Sequence, residues 1–265
     1  RVAWRPVSAS AADRRARTAE LREFAAAFRY RRSGDRNGRS PVGSTKPPHM
    51  DADTVEYPKS GTKRATTKIA NNHGRRSRPM MFFIIAGPNG AGKTTVASPI
   101  MLEIGIDEYV NTDNIAKGMS MLHPERLSFS AGRVAIKRMN RLINERVSFA
   151  YETTLASKSI NHIVERARET GYEITLCFYA LPTVSTAIKR VKHRVELGGH
   201  DVPTNIILRR YERGLMNFFT RDRHKADNWF FYNNLDKATL LAYKTDSFVV
   251  LDPQFEAIRK RYEGP

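Results

Sequence analysis

The sequence has one cysteine, Cys177, among its 265 residues, so neither a disulfide nor a cysteine-built zinc site can form within the chain. It also lacks any apolar run near the roughly 20 residues that cross a bilayer. Met81 to Ala86 is far too short for a span or a signal core. The expectation is a soluble, cytoplasmic protein with no membrane association. Arg and Ala in the first 30 residues resemble a transit peptide, but Asp13, Glu20 and Glu23 argue against one.

Acidic residues are scarce, 27 Asp and Glu against 45 Lys and Arg, for a net charge of +18. Such an excess points to a polyanionic partner only if it lies on the folded part. Residues 1–79 hold 19 of the basic and 7 of the acidic residues, a balance of +12, which leaves +6 for the remainder. Nucleic acid is therefore not expected as a partner of the core.

Residues 31–79 lack apolar periodicity and are dense in Arg, Ser, Gly, Pro, Asn and Thr, so they read as disordered. Ala11 to Tyr30 has the pattern of a short helix with Leu21, Phe24 and Phe28 on one side, too isolated to form a domain. The chain opens at Arg1, and composition turns abruptly apolar at Met80-Met81. The expectation is that the natural protein begins at one of these methionines. Residues 1–79 then form a basic extension, upstream-translated or appended, to one domain at 80–265.

From Met81 onward, strand-like and helix-like stretches alternate. Strands are expected at 82–86, 108–111, 147–152, 173–180, 229–232 and 247–251, and helices near 93–103, 125–145, 158–170, 183–196, 204–219 and 253–262. Such alternation implies an α/β three-layer fold with a mainly parallel central sheet. Cys177 and the aromatic run Trp229 to Tyr232 read as core.

The strand Phe82 to Ala86 leads into Gly87-Pro88-Asn89-Gly90-Ala91-Gly92-Lys93-Thr94-Thr95, which satisfies G-x-x-x-x-G-K-[ST] in the required strand-to-helix context. Backbone N–H groups of such a loop surround a β-phosphate, and the following helix adds its positive end at the same point. Lys93 is then the bridge between β- and γ-phosphates and Thr94 the hydroxyl ligand of Mg2+, with ATP as the nucleotide. This makes a P-loop NTPase of kinase type.

Two later strand ends carry polar groups where open α/β sheets place ligands. In the segment Asn111 to Ala116, Asp113 is the candidate base for an acceptor hydroxyl, or else a helix cap. After Val147 to Tyr151, Glu152 and Thr153 face the same cleft as candidate acceptor contacts, with Glu152 also able to hold magnesium through water. The strand that ends at Ala180 carries no Walker B acid. Arg190 and Arg194, four apart on one helix, and Arg209 and Arg210 beyond the Gly198-Gly199 break form a helical lid with cations on both arms, apt to steady a phosphoryl group in transfer. His200 reads as a cap or hinge contact.

Taken together, GPNGAGKTT, NTDNIA, FAYETTLAS, GYEITLCFYALP and RVELGGHDVP resemble the zeta toxin family of P-loop kinases over about residues 81–253. The resemblance implies ATP-dependent phosphorylation of a hydroxyl on a nucleotide sugar such as UDP-N-acetylglucosamine or a related metabolite. It implies Lys93 and Thr94 as nucleotide and metal contacts, Asp113 as base, Glu152 and Thr153 as acceptor contacts, Arg190 as the first lid arginine, and an antitoxin protein as partner. The second lid arginine matches near His200 rather than an arginine, so Arg194 or Arg209 would have to substitute. The competing readings are an ATP-binding, nucleic-acid-associated protein without kinase activity, and a nucleoside or polynucleotide kinase.

Overall fold

The computed structural model describes residues 80–120, 124–199 and 201–264. The expectations for residues 1–79, including the helix at Ala11 to Tyr30, and for His200 lie outside them.

The apolar stretches assemble into one seven-stranded sheet in the order β2-β3-β1-β4-β5-β6-β7. Strands β1 (Met80–Ala86), β2 (Glu108–Asn111), β3 (Phe149–Thr153), β4 (Tyr172–Ala180) and β5 (Asn228–Asn234) run parallel, and β6 (Ala238–Lys244) and β7 (Phe248–Val250) continue the sheet antiparallel. β1 and β4 are buried along almost their whole lengths. That is why they read as near-continuous apolar runs rather than alternating ones: a parallel sheet covered on both faces has no wet side.

Helices α1 (Lys93–Ile104), α2 (Thr112–Met119), α3 (Ser128–Asn144), α4 (Asn161–Glu169), α5 (Val184–Glu196), α6 (Thr204–Asn217) and α7 (Pro253–Glu263) fill the connections. The alternation legible in the sequence thus becomes the expected α/β fold. One strand was not anticipated, and the short helix after β2 was foreseen only as a start at Asn114 capped by Asp113. α2 begins at Thr112 instead, with Ile115 packed on the core beside buried Ala116, and its cap is the Asn111 side chain, which accepts the Asn114 N–H at 3.0 Å. β6 is rich in Leu and Ala, poor strand signals, yet it is zipped onto β5, where pairing overrides propensity. The helix expected to run through residue 219 ends at Asn217 and passes into a π-turn at Phe218–Asp222.

The aromatic run after the fourth strand is core, as its sequence suggested. Phe231 is fully buried between rings of Phe178, Phe218, Phe219 and Phe255 at centroid distances of 5.0 to 5.4 Å. Cys177 lies on the buried strand β4, where burial pushes its thiol pKa well up and keeps it unreactive. Phe231→Ala should lower unfolding free energy by about 3–5 kcal/mol through the cavity it leaves, read as a fall in urea midpoint at unchanged slope.

Candidate functional site

The turn after β1 requires glycine at two positions. Gly87 has φ 145, and a Cβ there would lie 2.3 Å from the Tyr179 carbonyl oxygen on β4. Gly90 has φ 79, and a Cβ there would lie 2.9 Å from the Ala187 carbonyl oxygen on α5. The loop is therefore pressed between the sheet and the lid helix. It is also tied there by side chains: Arg190 donates to the carbonyls of Gly90 at 3.3 Å and Asn234 at 2.9 Å, and the Asn234 amide donates to the Ala91 carbonyl at 2.6 Å. Asn234, at the end of β5, is a contact that no motif announced. Asn89 is buried, and its Oδ1 has no hydrogen-bond partner among the described residues, a deficit of about 1–3 kcal/mol that a ligand donor or water would remove.

Lys93, the first residue of α1, folds back over this loop and donates to the Pro88 carbonyl at 3.0 Å. Its side chain is only 7% exposed, and its ammonium lies 3.9 Å from Glu152. Burial lowers its pKa, only partly offset by the charges of Glu152 and Asp113.

Glu152 reaches this point through strand register. It pairs with Ile85 of β1 on one side and Asn111 of β2 on the other, while Tyr109, two residues before Asn111, shares the Asn111 face of the sheet. The Glu152 carboxylate consequently accepts from Thr94 Oγ1 at 2.9 and 3.2 Å, from Asn111 Nδ2 at 3.0 Å and from the Tyr109 hydroxyl. Burial, and then the charge of Glu152, push the Tyr109 pKa far above its ordinary value, so the phenol stays a donor. The absence of an acid at the end of β4 is thus made good on the other neighbour of β1. Thr94 and Glu152 offer hard oxygen donors of the kind magnesium prefers, and among the described residues no cluster of three or more His, Cys, Asp or Glu would cage a cation without phosphates and water.

The other expected residues divide into groups. Asp113 on α2 and Arg209 and Arg210 on α6 line a cavity of about 300 Å³ together with Lys117, Pro203 and Ile206. Asp113, Arg210 and Arg194 all lie within electrostatic reach of Lys93, so this cavity opens beside the phosphate loop. Arg194 is exposed on the last turn of α5. The Thr153 hydroxyl turns back to accept the Leu155 N–H at 3.0 Å and does not line the cavity. Thr95 is exposed on the first turn of α1.

A family model described as zeta toxin matches residues 63–246. The chain belongs to the zeta toxin family. An uncharacterized protein of Haemophilus influenzae is 30% identical to it over 125 residues, which are 47% of this chain and 88% of that one. Among solved structures, the complex AvrRxo1-ORF1:-ORF2 with ATP aligns at a TM-score of 0.56 and 16% identity, over 69% of this chain and 64% of that one. The chain therefore spans somewhat less than two thirds of that neighbour, and the likeness is one of fold. A zeta toxin fold with a phosphate loop closed by Glu152 and Lys93 supports an ATP-dependent kinase in general terms.

The depressed Lys93 pKa gives a sign for pH dependence. In the free protein the ammonium loses its proton below the ordinary 10.5; a polyphosphate beside it favours the charged form and draws the pKa back up. Nucleotide association should therefore take up a proton in the alkaline window between the two values, with affinity highest below the free-protein value and falling as pH rises through the window. Calorimetry at alkaline pH in two buffers of different ionisation enthalpy should register that uptake in the native protein and not in Lys93→Ala.

Proposed function

We propose that this protein, with residues 80–265 as its catalytic domain, is an ATP-dependent phosphotransferase that moves the γ-phosphate to a hydroxyl of a small acceptor. The observation that carries this reading is the convergence of Lys93, Thr94 and Glu152 on the phosphate loop, with Asp113 and a cation-lined cavity alongside.

Each group has a part that its chemistry suits. Loop N–H groups at the start of α1 hold the polyphosphate, apart from those of Ala91 and Thr95, which donate to the Pro88 and Gly92 carbonyls at 3.2 and 3.0 Å. Lys93 exchanges the Pro88 carbonyl for phosphate oxygens. Thr94 and Glu152 would hold magnesium, the latter through the Thr94 hydroxyl or water, and the metal would supply positive charge against the polyphosphate there. Asp113 accepts the proton of the acceptor hydroxyl as its oxygen attacks phosphorus, and ADP departs. Arg194 and Arg210 face the same charge from the lid arms, while Arg190, already bound to Gly90 and Asn234, keeps the loop in shape. Glu152 acts chiefly on the metal side rather than on the acceptor, and Tyr109 and Asn111 hold its carboxylate in place. The family resemblance names a nucleotide sugar or related metabolite as acceptor and an antitoxin as protein partner, the latter to be sought by co-purification from the native host.

With γ-labelled ATP and a small-molecule extract, the protein should yield a labelled product that falls at least about a hundredfold in Lys93→Ala and in Asp113→Asn. Absence of product above the Lys93→Ala background would remove the kinase reading. Tyr109→Phe frees one side of Glu152 and should raise the magnesium concentration for half-maximal turnover about tenfold while leaving the thermal midpoint near that of the native protein.

A further inference from the structure

Helix α6, which carries Arg210, is seated where β3 and β4, the two strands that flank β1, leave the sheet. The Tyr211 hydroxyl donates to the carbonyl of Leu181, the first residue after β4, at 2.7 Å. Gly214 passes the carbonyl of Thr154, the first residue after β3, so closely that a Cβ there would lie 2.6 Å from its oxygen. Glycine inside a helix is destabilising relative to alanine, and this approach accounts for its presence. The Asn217 amide donates to the next carbonyl, that of Leu155, at 2.7 Å.

The last two carbonyls belong to consecutive residues. In an extended chain successive carbonyls point to opposite sides, so Thr154 and Leu155 can both face α6 only where the chain leaves that form. Leu155 does leave it. This buried residue has φ 59, in the left-handed region that a residue with a side chain seldom adopts. Such a conformation persists only where its surroundings over-determine it, and here the Thr153 hydroxyl accepts its N–H while Asn217 donates to its carbonyl.

The clamp joins two parts of the site. Glu152 stands two residues before Thr154, with the Lys93 ammonium 3.9 Å away. Arg210 precedes Gly214 by four residues and Asn217 by seven, so the three share one face of α6 over ~10 Å of its length. Arg210 lines the cavity with Asp113, and its charge reaches Lys93. The strand end that bears Glu152 is thus fastened to the helix that bears Arg210.

We propose that Gly214 and Asn217 are positioning residues for phosphoryl transfer: by seating α6 on the Thr154 and Leu155 carbonyls they hold the Arg210 guanidinium in fixed geometry relative to Glu152 and the phosphate loop. This rests on the kinase reading and deepens it. Neither residue lines the cavity, and each acts through Arg210. A cation steadies a phosphoryl group in transfer only if it already stands where charge develops, and a misplacement of ~1 Å can cost about a hundredfold in rate.

The test uses the full chain with magnesium and γ-labelled ATP, and either UDP-N-acetylglucosamine or a small-molecule extract as acceptor. Arg210→Ala should slow labelled-product formation at saturating ATP about a hundredfold. Gly214→Ala, whose Cβ must push α6 off the Thr154 carbonyl, and Asn217→Leu, which removes the donor to Leu155 at similar volume, should each slow it about tenfold or more, with the ATP concentration for half-maximal rate within about threefold. Met216→Ala, at an exposed position of the same helix, should change neither. In the Arg210→Ala background, Gly214→Ala and Asn217→Leu should slow the reaction by less than about twofold further, while lowering the urea midpoint as much as they do in the native background. Should Gly214→Ala fail to fold, Asn217→Leu completes the cycle alone. Rate losses that multiply with that of Arg210→Ala, or native rates in Arg210→Ala or in Asn217→Leu, overturn the inference and leave the kinase reading standing. No product above Lys93→Ala from either acceptor overturns the kinase reading and this inference with it.

Discussion

One carboxylate organises this site. Glu152 stands where three strands run side by side, and its oxygens gather Thr94 from the first turn of α1 and Tyr109 and Asn111 from β2, with the Lys93 ammonium 3.9 Å away. That arrangement follows from parallel pairing: with Ile85, Glu152 and Asn111 in register, the ends of β1, β3 and β2 meet at one level. A shift of one residue in β3 would turn Glu152 to the opposite face and leave Lys93 buried without its nearest countercharge. Register is in turn enforced by Phe149 stacking on Phe82 at 4.4 Å and by fully buried Ala150. Apolar packing at one end of the strands thus places charge at the other.

The phosphate loop is held from above as well as below. Gly87 lets the chain pass over the Tyr179 carbonyl and Gly90 lets it pass under α5, so the loop is confined by the two structures on which a lid must close. Arg190 and Asn234 satisfy loop carbonyls directly, and within the loop the Pro88 carbonyl takes the Ala91 N–H at 3.2 Å. Sequence spacing made Arg190 a lid arginine; its contacts make it first a brace. Arg194, four residues on, is exposed on the last turn of the same helix.

Much of this was legible in the residues. The phosphate loop announced itself because its chemistry needs fixed residue types at fixed spacing, and the parallel sheet did so because strands with no wet face become long apolar words such as Ile174 to Ala180. What escaped was set by contacts distant in sequence. Asn234 is an ordinary strand-end amide until it meets Ala91, and Tyr109 is an ordinary strand aromatic until register places it against Glu152. β6 carries helix-forming leucines and becomes a strand only because β5 offers an unpaired edge. Likewise, the acid missing from β4 looked like a gap because sequence does not show which two strands flank β1; the fold order does.

The cavity shows the same trade between stability and use. Arg210 is partly withdrawn from water, burial lowers its pKa, and Asp113 only partly compensates. A structure optimised for stability alone would pair such a guanidinium or replace it by an apolar side chain. Elsewhere this fold does pair its arginines: Arg223 meets Glu263, and Arg138 meets Glu108 at 2.7 Å. Arg210, partly buried with only Asp113 as countercharge, keeps unspent electrostatic energy beside Lys93.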